Sequence, residues 1–185
     1  MKKRSEEIIN YDPNDYERPS VTVDVIVFTI IDEALHVLLI KRKNPPYKNC
    51  WAFPGGFIEM SERLVESAVR ELREETGIRM AKKRLRFLTV ADDPNRDPRT
   101  RVIGSIYLAL LPAHRLNPQA GDDAKEAILF PIDKAPRLAF DHRKLLNLAV
   151  STFKNDLKHN SNLLLEMLPR GSSPRKVASK LLSIL

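Results

Sequence analysis

The chain has 185 residues, 43% of them apolar and 30% charged, with a formal net charge of +7. That length and apolar share suit one domain with a proper core, and the basic balance favours anionic partners without saying anything about fold. A single cysteine, Cys50, excludes an internal disulfide, and no apolar run approaches the ~20 residues of a membrane span.

In chain order, residues 1–19 are polar, carry Pro13 and Pro19, and read as an N-terminal arm. The start MKKR is basic but has no apolar stretch behind it, so it is not a secretory leader, and a cytoplasmic protein is expected. Val21–Ile31 is rich in β-branched residues and predicts a buried strand. Asp32–Ala34 predicts a hairpin turn and Leu35–Lys41 a second strand. Lys43–Asn49 is a loop, because Pro45 and Pro46 cannot donate to a ladder. Trp51–Pro54 is short and apolar, and Gly55-Gly56 interrupts it. Ser61–Thr76 predicts a helix: Leu64, Val65, Ala68, Val69 and Leu72 form one stripe, Ser61 is placed to cap it, and Gly77 suits its end. Leu85–Ala91 and Val102–Leu111 predict strands joined by the polar loop Asp92–Arg101. Ala127–Ile132 predicts another strand, and Phe140 to about Lys158 a second amphipathic helix. A basic tail, 159–185, ends in a short helix with Ser173 as cap and Pro174 in its first turn. Strands interleaved with two long helices indicate an α/β or α+β domain over 20–158.

The chemistry concentrates in the first helix. At roughly 100° per residue, Glu71, Glu74 and Glu75 share one face, spanning about a quarter of the circumference. Three carboxylates so close repel one another unless cations neutralise them, and hard divalent cations prefer oxygen ligands. Taken alone, such a run also suits a solvated helix with ordinary ion pairs, for instance Glu66 with Arg70. The context decides: glycines precede the helix, Glu62 opens it and Gly77 closes it.

Gly56, then Glu62, then Arg70-Glu71-Leu72, Glu74-Glu75 and Gly77-Ile78 resembles the Nudix box, with every fixed position matched. The resemblance implies a mixed β-sheet between helices and a box folded as loop–helix–loop. It implies that Glu71, Glu74 and Glu75 hold catalytic Mg²⁺ or Mn²⁺, helped by the backbone carbonyl of Gly55 or Gly56. Arg70 would orient a box glutamate and Glu62 would complete the site. The implied reaction is attack of a metal-activated water on a diphosphate phosphorus.

Three further segments resemble the Nudix ADP-ribose pyrophosphatases and the related Nudix regulators of NAD metabolism: Glu17–Ile30 with the stretch to Gly56, Ala91–Arg101, and Asp122–Ala127 with Ala139–Leu146. The expected reaction is ADP-ribose plus water to AMP plus ribose 5-phosphate. In the loop, Arg96 and Arg99 suit phosphate or ribose, with Arg101 beside them, and Asp97 can brace the loop by pairing with an arginine. Phe140 and His142 can stack on a base or ribose, or simply staple and cap the helix. Trp51 is read as core. Asp122, Asp123 and Glu126, read as a loop, are candidates for the general base. The sequence departs from the family pattern at Asn49, Ala91 and Leu129; Asn49 stands where a glycine is more usual, and Asn tolerates a left-handed backbone.

Two alternatives stay open. One is a transcriptional regulator that senses ADP-ribose, although 159–185 is shorter than a winged helix needs. The other is an enzyme for an oxidised nucleoside triphosphate or another sugar nucleotide. A homodimer is expected; nucleic acid is not expected as a partner, nor is a membrane.

Overall fold

The computed structural model describes residues 12–121, 124–169 and 171–185. Its frame is a mixed seven-stranded sheet with helices on both faces. The strands are β1 (Ser20–Ile31), β2 (Ala34–Arg42), β3 (Trp51–Ala52), β4 (Gly55–Phe57), β5 (Arg86–Ala91), β6 (Val102–Leu110) and β7 (Ala124–Pro131). The helices are α1 (Leu64–Thr76), α2 (His142–His159) and α3 (Pro174–Ile184). The path runs β3-β2-β1-β6-β5, with β4 paired to β1 and β7 to β2. Among the described residues the β1–β6 seam is parallel and the other strand pairs are antiparallel, with an isolated parallel bridge between Trp51 and Leu138.

β1 is the centre, and its burial on both faces explains its mostly apolar run. Alternate residues feed opposite cores. Val23, Val25 and Val27 join Leu38, Ala68, Leu72 and Tyr107 under α1. Ile26, Phe28 and Ile30 join Leu146, Phe153 and Leu181 under α2 and α3. Each side chain of this size withdrawn fully from water contributes about 1.5–3 kcal/mol, so the period-two pattern sets which helix goes where. The tail is packed on the domain: Val177, Ala178 and Leu181 of α3 lie in the same cluster as Phe28 and Phe153. Lys180 on its outer side pairs with Glu33.

The β1–β2 turn is a two-residue hairpin in which Asp32 and Glu33 both take positive φ, at 49° and 60°. Asn49 is also left-handed, at φ 67°, the conformation its position was expected to need.

Four differences from the sequence reading bear on the site, beyond shifts of a residue at strand ends. Gly55-Gly56 does not break the sheet; it forms β4, pairing Gly56 with Val23 and Gly55 with Asp24. Ser61 does not cap α1. The helix starts two residues later, behind Arg63, whose backbone N–H donates to Glu66 at 2.9 Å, so a carboxylate from inside the first turn satisfies the helix start. Phe140 lies before α2, at φ 49°, and Asp141 is the residue ahead of the helix. β7 begins at Ala124, which puts Glu126 on a strand rather than in a loop. Of the expected arm, residues 1–11 lie outside the described residues, and 13–15 form a short 3₁₀ turn. Among the described residues no helix is long and apolar enough to cross a membrane.

Candidate active site

The site is assembled where β4 runs beside β1 and α1 returns across it. Two glycines in β4 let the carboxylates come close. Glu75, nearly buried, accepts a hydrogen bond from the Gly55 N–H at 2.7 Å. The Glu71 carboxyl group lies against Gly56 so tightly that a Cβ there would sit 2.7 Å from its Oε1. At Gly55 a Cβ would overlap the carbonyl oxygen of Val23.

Arg70 sits among the acids. Its Nε donates to Glu62 at 3.0 and 3.1 Å, its Nη1 to Glu71 at 2.7 Å and to Glu74 at 3.1 Å, and its Nη2 to the Phe57 carbonyl at 3.2 Å. Burial alone would lower the Arg70 pKa, but the bonds to Glu71, Glu62 and Glu74 outweigh it and raise it. Glu62 is held below the usual carboxylate range, first by the Ser67 hydroxyl at 2.7 Å and then by Arg70.

Can these residues take a metal ion? Among the described residues no three Cys, His, Asp or Glu groups converge into a ready-made cage. The donors nevertheless fit a hard divalent cation: carboxylate oxygens from neighbouring turns of one helix, beside two glycines that leave room around them. The charge that a cation would balance is here balanced by Arg70.

Glu71 and Glu75 open into a cavity of about 380 Å³, whereas Glu62 and Glu74 are not on its wall. The expected substrate residues divide. Arg96, its side chain only 5% exposed, makes a two-pronged pair with Asp141, both bonds at 3.0 Å, and lies 3.7 Å from Asp24. It holds the 92–101 loop to the start of α2. Arg99 is paired with Asp97 through Nε and Nη2 at 3.0 and 2.8 Å, as the sequence suggested for that loop, and its guanidinium lies 5.4 Å from the centre of the Phe57 ring. Arg99 first, and its backbone N–H next, hold the Asp97 carboxyl below the usual range against the opposing effect of burial. Arg101 donates to the Asp92 carbonyl at 2.6 Å.

His142 is buried and stacked on Phe53, with ring centres 4.7 Å apart at 11°. The Phe53 N–H donates to its Nδ1 at 3.1 Å, which leaves the proton on Nε2, facing Asp24 at 3.7 Å. Burial pushes the His142 pKa down, so the ring is neutral. It forms part of the cavity floor and shares its face with Phe53. Phe140 stands on the wall beside Tyr47, edge to face at 4.8 Å. Trp51 packs edge-on to Phe130 at 4.7 Å and is not on the cavity wall. Glu126 is held by Lys41 at 2.7 Å and is likewise off the wall, while Asp122 and Asp123 lie outside the described residues.

The sequence reading singled out neither Asp24 and Arg42, which line the cavity, nor Asp141, which clamps Arg96. The signal for Asp24 was a lone acid in an otherwise apolar buried strand. For Arg42 it was the step of two from Leu38 and Ile40 along β2. Asp141 had no signal, because its partner Arg96 is 45 residues away.

Comparison with known proteins agrees with this geometry. The NUDIX domain family matches residues 21–149. An ADP-ribose pyrophosphatase of Methanocaldococcus jannaschii is 46% identical over 131 residues, covering 71% of this chain and 73% of that protein. The ADPR responsive transcriptional repressor NtrR of Acinetobacter baylyi is 32% identical over 166 residues, covering 88% of this chain but 65% of that one. Among solved structures, the NUDIX domain of Shewanella oneidensis NrtR complexed with ADP ribose superposes with TM-score 0.72 at 30% identity, over 80% of this chain and 97% of that one. A MutT/nudix family protein from Enterococcus faecalis superposes with TM-score 0.76 at 27% identity, over 97% and 85%. With the glycine strand, the glutamate helix and these likenesses in agreement, the chain belongs to the NUDIX family.

Proposed function

We propose that the protein is a divalent-metal pyrophosphohydrolase that splits ADP-ribose and water into AMP and ribose 5-phosphate. The observation that carries the reading is the 46% identity to an ADP-ribose pyrophosphatase across a stretch that contains the whole carboxylate site. Glu71, Glu74 and Glu75 would hold Mg²⁺ or Mn²⁺ with a carbonyl of Gly55 or Gly56. A cation held there lowers the pKa of a bound water and offsets charge on the displaced phosphate. The chain's own residues do the positioning. The Gly55 N–H fixes Glu75, Gly56 leaves the space Glu71 fills, and Arg70 ties Glu71 and Glu74 to Glu62. Arg99, Asp97 and Phe140 line the cavity where a nucleotide would lie, and the Asp97–Arg99 pair presents a guanidinium with one edge already fixed. The protein is proposed to work in the cytoplasm as a homodimer, with the base drawn from the 122–126 segment.

The test is a substrate panel with Mg²⁺: ADP-ribose, NADH, diadenosine polyphosphates, GDP-mannose and oxidised dGTP. ADP-ribose is expected to give the highest kcat/KM, and Glu75→Gln or Glu74→Gln to lower turnover by about 10²-fold or more at unchanged fold. Full activity in Glu75→Gln would defeat the metal assignment. A second reading, an ADP-ribose-sensing repressor, is favoured by the likeness to NtrR, which extends over 88% of this chain. Under it, DNA from NAD-metabolism promoters shifts on a gel and ADP-ribose releases it, with no turnover.

A further inference from the structure

Four arginines line the cavity: Arg42, Arg70, Arg96 and Arg99. Three are matched to carboxylates. Arg70 is shared by Glu62, Glu71 and Glu74, Arg96 is clamped by Asp141, and Arg99 is clamped by Asp97. Arg42 differs. Among the described residues no carboxylate lies within ion-pair distance of it, and its hydrogen-bond partner is neutral, the Pro46 carbonyl, to which Nε donates at 2.9 Å.

Its position is nonetheless fixed. The guanidinium lies 4.9 Å from the centre of the Phe140 ring, and Tyr47 packs edge-on against the same ring. Phe140 keeps φ 49°, a backbone conformation that bulky residues rarely adopt and that tends to occur at ligand sites. Arg42 is half-buried, and burial first, then the charge of Arg99, depresses its basicity, outweighing the opposing pull of the more distant Glu75, Asp97 and Asp24. A cation half out of water, near a second cation and with no carboxylate in contact, costs stability that long-range carboxylates offset only in part. The carbonyl bond uses only Nε, which leaves the two terminal nitrogens of the guanidinium as donors, the edge that suits a phosphate.

We infer that Arg42 binds the diphosphate of the substrate, with Arg99 as the second cation of the same anion site. The rival role for Arg42 is a brace for the 43–49 loop through Pro46, and the two roles predict opposite results in the ligand-free protein. The inference rests on the reading that the cavity takes a nucleoside diphosphate.

The experiment compares wild type, Arg42→Met and Arg42→Lys with Mg²⁺ and α,β-methylene-ADP, whose bridge cannot be hydrolysed. Affinity is read by calorimetry, ligand-free stability by urea unfolding, and KM and kcat for ADP-ribose by product release. Expected for Arg42→Met are at least tenfold weaker binding, a KM rise that exceeds any fall in kcat, and a ligand-free midpoint equal to or above wild type. Arg42→Lys should recover part of the affinity, since it keeps the charge and loses the fork. Binding by Arg42→Met within threefold of wild type overturns the inference, and so does a lowered ligand-free midpoint, the mark of a brace. If wild type binds the methylene analogue through Arg42 but does not hydrolyse ADP-ribose, the hydrolase reading falls and the anion site stands. If it hydrolyses ADP-ribose and Arg42→Met binds undiminished, only the Arg42 role falls.

Discussion

The two glycines of β4 should fail in different ways when given a methyl group, and the structure says how. At Gly56 the new Cβ would meet Glu71 Cδ and Oε1 at 2.7 Å, where ordinary carbon contacts lie at about 3.5–4.0 Å. The atoms in the way are the end of a flexible side chain, so the carboxylate retreats by about 1 Å and the backbone stays. Reduced freedom of the unfolded chain gives back about 0.4–1 kcal/mol, which offsets most of the crowding. Gly56→Ala should therefore unfold within about 1 kcal/mol of wild type. Activity is another matter: a group misplaced by about 1 Å costs on the order of 10²-fold, about 2.7 kcal/mol of barrier. At Gly55 the Cβ would strike the Val23 carbonyl and come within 2.8 Å of Asp24 Cα, both backbone of the central strand. Nothing there can swing aside, and Gly55→Ala should lose about 3 kcal/mol of stability. Urea midpoints and kcat/KM for ADP-ribose, measured on both variants, decide the matter. If Gly56→Ala keeps kcat/KM within threefold of wild type, or unfolds as readily as Gly55→Ala, the reasoning about the Glu71 seat is refuted.

Two further outcomes follow from the buried polar groups on the cavity floor. Replacing Arg96 by Met leaves Asp141 and Asp24 without their cation in a poorly hydrated site, so urea unfolding should show a loss of about 3–5 kcal/mol; a loss under 1 kcal/mol would mean that those carboxylates find water. His142 is buried neutral with a lowered pKa, so the unfolded chain takes up the proton first. Its share of stability is complete above about pH 6.5 and falls below that by up to about 1.4 kcal/mol per pH unit until the folded-state pKa is reached. His142→Gln should flatten the stability profile between pH 5 and 6.5, and an unchanged slope would place the titration elsewhere.

Much of this was written in local pattern. The buried strand β1 follows from its β-branched composition and the carboxylate face of α1 from residue spacing, while the left-handed Asn49 was legible only through the family resemblance. What the sequence hid is non-local. Gly55-Gly56 has no strand propensity and pairs only because β1 offers an edge to it. Arg96 and Arg99 look alike in one loop and both reach the cavity, yet Arg99 is clamped by its near neighbour Asp97 and Arg96, almost fully buried, by Asp141 at a helix end far along the chain. Phe140 reads as the start of a helix until its positive φ turns it onto the cavity wall. The start of α1 was misplaced because Glu66 turns back onto the Arg63 N–H, so the helix needs no hydroxyl cap from Ser61.

The guanidinium wedged between Glu62, Glu71 and Glu74 makes the acidic helix self-sufficient. Folding need not wait for magnesium, since a resident side chain already quiets the repulsion that would otherwise splay the turn. On the proposed metal role, a chelator should accordingly silence the protein without melting it. In that role a cation would meet a scaffold already in place, with Glu62, Glu71 and Glu74 held by the same arginine.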